Sequence, residues 1–170
     1  MSDVDQELIN AAKKVMTDCM RLTAGDDLLI VSDETTCDIV TAFVIGSREC
    51  GVDIINLHCP IILQEDIKKK KSVSNLMRTI LSASKNIITP TSDKPSCKEF
   101  RSQIIKGSPN AKRGHMPGIT KSQLIEGMKA DYEWMNQICE IICLIFAMGD
   151  KVKILTGDGK YELTFALEPW

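Results

Sequence analysis

The run LLIVSDE, residues 28–34, sets four uninterrupted apolar side chains directly before a serine and two carboxylates. Four apolar residues in a row leave no side chain to turn toward water, so a strand built from them must be covered on both faces. The polar turn then lies at its carboxyl end. Upstream, Leu8, Ile9, Ala12, Val15, Met16 and Cys19 recur at three- and four-residue spacing, which predicts a helix over residues 5–22 with one buried face. Downstream, Thr35 and Asp38 stand three apart ahead of IVTAFVIG, a capping-box-like start to a second helix that reaches about Cys50 and ends at Gly51.

The strand-helix unit then repeats along the chain. Strands are expected over 52–57 (VDIINL), 86–89 (NIIT) and 111–116, with a helix somewhere within 65–83 and another from Pro95 to Lys106. Proline suits a first helical turn because its missing N–H has no partner there, and Asn110 in SPN is expected to end the helix in the left-handed conformation. PGIT (117–120) turns into a short helix, and Asp131 to Met148 reads as a long one. This alternation predicts a three-layer α/β/α fold with a mainly parallel sheet. The closing KVKILTGDGKYELTFALEPW differs in kind: Val152, Ile154, Tyr161, Leu163, Phe165 and Leu167 alternate with polar residues about a Gly-Asp-Gly turn. It predicts a C-terminal antiparallel β-hairpin with one face buried and the other open to water or another body. With no linker, repeat or low-complexity tract, residues 1–170 are expected to form a single α/β domain.

A chain of 170 residues is long enough to fold without staples. Its net charge of -2 lacks the basic excess of a nucleic-acid or anionic-membrane binder, so no nucleic acid and no membrane partner is expected. Seven cysteines without a Cys-x-x-Cys, mostly among apolar neighbours, read as reduced core thiols in a cytoplasmic protein. The acidic start, MSDVDQEL, is unlike a secretory signal, and no apolar run approaches the roughly 18 residues of a membrane span. The basic run IKKKK (67–71) reads as a solvated helix face.

Ligands of open parallel sheets collect beyond the carboxyl ends of the strands. The ends here supply the ligand-rim candidates Ser32, Asp33, Thr35, Thr91, Ser92 and His115. Asp33, Glu34 and Asp93 are the carboxylates that would hold Mg²⁺ in a phosphate-receiver-like domain, against the plainer reading as turn and cap residues. Neither a dinucleotide glycine motif nor a phosphate loop accompanies them. His58 and Cys59 are adjacent on a strand and so point to opposite faces, while Cys139 and Cys143 share a helix face apolar enough to favour buried packing. No catalytic residue and no metal ligand emerges from these positions.

Several stretches, CMRLTAGDDLLIVSDETT, ITPTSDKPSCKEFRSQ, MPGIT, ADYEWM and KVKILTGDGKYELTFALE, resemble in sequence order the amino-terminal half of thermophilic metallo-aminopeptidases of the aminopeptidase T and aminopeptidase S type, leucyl aminopeptidase-like enzymes. The resemblance runs from about Ala11 to Glu168 and implies an α/β domain. The matched positions are structural: Ser96 and Arg101, Pro117 and Gly118, Asp131 and Tyr132, Thr164 and Phe165. The family's divalent metal is held by a second half that follows the closing hairpin, so the resemblance implies no cofactor in this chain and a sequence that stops where that catalytic half would begin. The expected function is a non-catalytic binding or assembly domain whose partner is a peptide, a chain carrying the metal half, or another copy, giving a homo- or hetero-oligomer. Tyr161, Leu163, Phe165 and Leu167 are its partner-surface candidates. The alternative is the amino-terminal portion of a complete metal-dependent aminopeptidase.

Overall fold

The computed structural model describes residues 5–70 and 73–167, with the side chains of 68–70 also outside the description. The IKKKK run therefore falls largely outside the described residues. The chain divides into two compact units, Met1–Lys129 and Ala130–Trp170.

The first unit is a four-stranded, wholly parallel sheet. Its strands are β1 (Asp27–Ser32), β2 (Asp53–His58), β3 (Asn86–Thr91) and β4 (Lys112–Pro117), in the spatial order β2-β1-β3-β4. The alternation inside LLIV explains why it takes the centre. Leu28 and Ile30 join Ile88 in a core under α1 (Gln6–Lys14) and α2 (Cys37–Cys50), where Leu8, Ala12, Phe43 and Ala42 are buried. Leu29 and Val31 join Ile87 in a second core under α4 (Asn75–Ala83) and α5 (Lys98–Gly107), filled by Leu81, Phe100 and Ile104. The sheet thus has helices on both faces, as a run with no polar position requires.

Local chemistry departs from expectation at several points. The first helix does not continue uniformly to residue 22: after Lys14 it widens into a π turn at Val15–Cys19. The region 65–83 is two helices, not one. α3 (Ile61–Lys70) starts early, just after Pro60, and Ser74 opens α4 by accepting from the Met77 N–H at 3.2 Å. Thr36, not Thr35, is the N-cap of α2 and makes no side-chain cap bond, its hydroxyl donating instead to the Pro90 carbonyl, while the Thr35 N–H and hydroxyl both turn to Asp33. Gly51 ends α2 in the left-handed conformation as expected. Asn110 is not left-handed; the non-glycine residues with positive φ among those described are Arg21 and Asp158. Pro95 opens a 3₁₀ turn (Pro95–Cys97) before α5. Thr120 and Gln123 close a reciprocal capping box on α6 (Lys121–Gly127).

The second unit holds α7 (Tyr132–Ala147), capped by Asp131 accepting from the Trp134 N–H at 2.9 Å, and the hairpin β5 (Lys151–Thr156) and β6 (Tyr161–Ala166). Asp158 and Gly159 carry φ of 54° and 85°, the two positive values that a type I′ turn needs at its centre. The register opposes Val152 to Phe165, Ile154 to Leu163 and Thr156 to Tyr161, which puts the apolar alternation on one face.

Core position predicts energetic weight. Truncating Phe43, which is 0% exposed, to alanine is expected to cost about 3–5 kcal/mol in chemical denaturation. Leu76→Ala, at a site 72% exposed, should stay within about 0.5 kcal/mol. Equal effects of the two would contradict this packing.

Candidate functional site

After β2 the chain crosses to the far side of β1 to lay down β3, so the strand order reverses direction between β1 and β3. At such a switch point the connections diverge and leave a crevice beyond the strand ends. The sequence puts Asp33 immediately after β1 and Ser92 immediately after β3.

The side chain of Asp33 fills this crevice. Its Oδ1 accepts from the Thr35 N–H at 3.0 Å and the Thr35 hydroxyl at 2.5 Å, and its Oδ2 accepts from the Ser92 N–H at 2.6 Å and Gln64 Nε2 at 3.0 Å. Thr36 adds a bond from its hydroxyl to the Pro90 carbonyl at 2.8 Å, and Gln64 Nε2 also donates to the Cys59 carbonyl at 2.7 Å. Burial is the largest single influence on the Asp33 carboxyl and pushes it up. The bonds from Thr35, Ser92 and Gln64 together outweigh it and hold the group below the usual carboxylate range. Arg101 braces the β3 side, with Nη1 donating to the carbonyls of Ser92 at 2.6 Å and Lys94 at 3.3 Å.

The three carboxylates considered for Mg²⁺ have separate surroundings. Asp33 is surrounded by donors, and Glu34 turns to the Ile61 N–H at 3.0 and 3.3 Å, at the start of α3. Asp93 packs under Gly118, where an added Cβ would sit 2.9 Å from its carboxyl group and where φ is +68°. Among the described residues, no three of His, Cys, Asp or Glu are grouped to hold a metal ion.

Of the six rim candidates, Ser32, Asp33, Thr91 and Ser92 are buried, whereas Thr35 and His115 are exposed. Asp33, Thr35 and Ser92 meet in one network. Ser32 bonds instead across the sheet to Asn56 at 2.9 Å, and His115 Nδ1 pairs with the Thr89 hydroxyl at 2.8 Å on the neighbouring strand. Burial, then the charges of Arg101 and Arg113, lower the His115 pKa from its ordinary value. The hydroxyl of Thr91 is buried without a hydrogen-bond partner among the described residues.

The cysteines correct the expectation of core thiols. Cys97 is buried and Cys50 and Cys59 are half-buried, but Cys19, Cys37, Cys139 and Cys143 are exposed. Cys139 and Cys143 lie on a helix with no buried residue, so apolar neighbours in sequence did not mean cover in space. Burial, then the charge of Asp33, pushes the Cys59 thiol up to about 11, which leaves it protonated and a poor nucleophile at neutral pH.

The partner-surface candidates sit on the hairpin. Tyr161, Leu163 and Phe165 are 62%, 58% and 42% exposed, and Leu167 is half-buried. The face expected to be buried is therefore not covered from within its unit. Sequence reading passed over Gln64. Its one signal is a polar residue inside the otherwise apolar first turn of α3, and it proves fully buried. Gln64 also lines a groove of about 480 Å³ between the end of β2, α3, α4 and Phe100.

No family model and no curated protein matches the sequence. Among solved structures the chain is similar to wild-type AmpT from Thermus thermophilus, with a TM-score of 0.50 at 8% identity over 72% of this chain and 41% of that one. The likeness is one of fold, and the chain spans less than half the length of AmpT. No helix among the described residues is long and apolar enough to cross a membrane.

Asp33 sets the acid behaviour. Its folded carboxyl lies below the roughly 3.9 of an unfolded chain, so its stabilisation is complete above about pH 4 and is lost as pH falls through the folded value. Asp33→Ala is expected to lower unfolding free energy by on the order of 3 kcal/mol at pH 7, since it orphans buried donors. It should also flatten the acid limb of the stability profile. An acid limb as steep as the parent's would contradict this.

Proposed function

We propose that this chain is a non-catalytic binding or assembly domain, related to the front portion of a metal-dependent aminopeptidase, that acts by docking a peptide or protein partner. The observation that carries this reading is the apolar surface that the second unit does not cover from within itself. At about 100° per residue, Leu144, Met148, Ile141, Ile145, Ile142 and Phe146 sweep an arc of roughly 200° around and just beyond α7. All six are exposed. Cys143 and Ala147 close most of the remaining circumference. The first half of α7 gathers Glu133, Asn136, Gln137 and Glu140 on one side, but these last two turns are apolar nearly all round. Such a segment belongs in an interior, and roughly 40 residues rarely build one alone. The hairpin carries a further exposed apolar face, with Tyr161, Leu163 and Phe165, and monomers seldom leave large contiguous apolar patches in water. The strand ends point the same way, because the Asp33 carboxylate accepts four bonds from the protein itself.

A second reading draws on the AmpT likeness: the chain supplies the amino-terminal portion of a metal-dependent aminopeptidase whose metal ligands lie on another segment. A reading frame beyond Trp170, or an adjoining gene, rich in Glu, His and Asp favours it over the first.

Another copy of the chain is the first occupant to test. Light scattering after gel filtration is expected to give a mass above the 18.9 kDa monomer, reduced to that value by Leu163→Lys with Phe165→Lys. A monomer that binds no hydrophobic dye contradicts docking. With Zn²⁺, Co²⁺ or Mn²⁺ and aminoacyl anilides, turnover is expected to equal a metal-only blank, and turnover above it contradicts the non-catalytic reading.

A further inference from the structure

A groove lies beside β2 in the first unit. Its lining is mostly apolar, with Leu57, Leu63, Ile67, Leu76, Met77 and Phe100, and also carries the polar His58, Asp66 and Ser74. Leu63 and Leu76 stand 56% and 72% exposed at its rim, while Phe100 is 1% exposed. Its volume of about 480 Å³ falls within the range of pockets that take small organic ligands. In this lining is one fully buried amide, Gln64, at 0% exposure.

The amide is fixed in orientation. Gln64 Nε2 donates to Asp33 Oδ2 at 3.0 Å and to the Cys59 carbonyl at 2.7 Å, both of which are acceptors, so the nitrogen must face them and the oxygen must face away. Gln64 Oε1 is then buried with no hydrogen-bond partner among the described residues. A buried acceptor without a donor is costly, and a ligand that brings one recovers that cost. The pocket also opens near the carboxyl end of β2, the side of a parallel sheet on which ligands collect.

We infer that this groove binds a flat or compact apolar molecule that presents a single N–H or O–H donor, with the donor on Gln64 Oε1 and the apolar body against Phe100 and Leu76. A second acceptor near the donor is disfavoured because Asp33 and the Cys59 carbonyl already take both amide hydrogens.

Indole is a suitable probe, being apolar with one N–H, and 1-methylindole is its control, with the same body and no donor. Titrations followed by calorimetry or ligand-observed NMR are expected to show saturable indole binding, weakened by roughly fivefold on N-methylation, the worth of one neutral hydrogen bond. Leu76→Lys changes only an exposed rim position, and the folded variant, checked by circular dichroism, is expected to lose indole binding. Absence of saturable indole binding overturns the inference, as does equal affinity for 1-methylindole or unchanged binding to Leu76→Lys.

Discussion

One carboxylate holds the strand ends together. Asp33 leaves the central strand β1 and ties it to the loop after β3 through the Ser92 N–H, to α3 through Gln64, and to its own turn through Thr35. The strand order makes that tie necessary. The switch between β1 and β3 pulls successive connections apart, and backbone groups left in the gap would be buried without partners. In many parallel sheets a ligand fills such a gap. Here a side chain does, with Thr36 and Arg101 pinning the same loop from either side.

This closure bears on function. A charge already accepting four hydrogen bonds has little capacity left for a metal or phosphate partner, and Glu34 is engaged by the Ile61 N–H. What the molecule offers instead is apolar surface. The groove beside β2 is one such feature, about 480 Å³ in volume, with the buried Gln64 amide and the polar His58, Asp66 and Ser74 in an otherwise mostly apolar lining. The exposed apolar residues of the second unit, on α7 and on the hairpin, are the other. The two differ in kind: the first holds a buried amide among mostly apolar side chains, and the second presents an apolar helix arc and a pleated sheet face.

Much of the first unit was legible in the sequence because periodicity reports burial directly. LLIV without a polar position could only be a doubly covered strand, and Gly51 and Pro95 mark helix ends for steric reasons independent of context. The site was less legible. Asp33 could be named but not its role, since Gln64 lies 31 residues away and Ser92 lies 59 away. Thr35 looked like a cap, but a buried carboxylate two residues earlier competes for its N–H and hydroxyl. The largest divergence concerns the second unit. The sequence of α7 carries the composition of a core helix, and composition specifies that a helix wants cover without specifying which body supplies it.

The most direct test is hydrogen exchange of the α7 amides, Tyr132–Ala147, followed as protein concentration is raised. If this apolar helix is buried by docking onto another copy, its exchange slows with concentration while that of β1 stays constant. Exchange of α7 that is equally fast at every concentration, in a protein whose β1 is protected, would contradict the account.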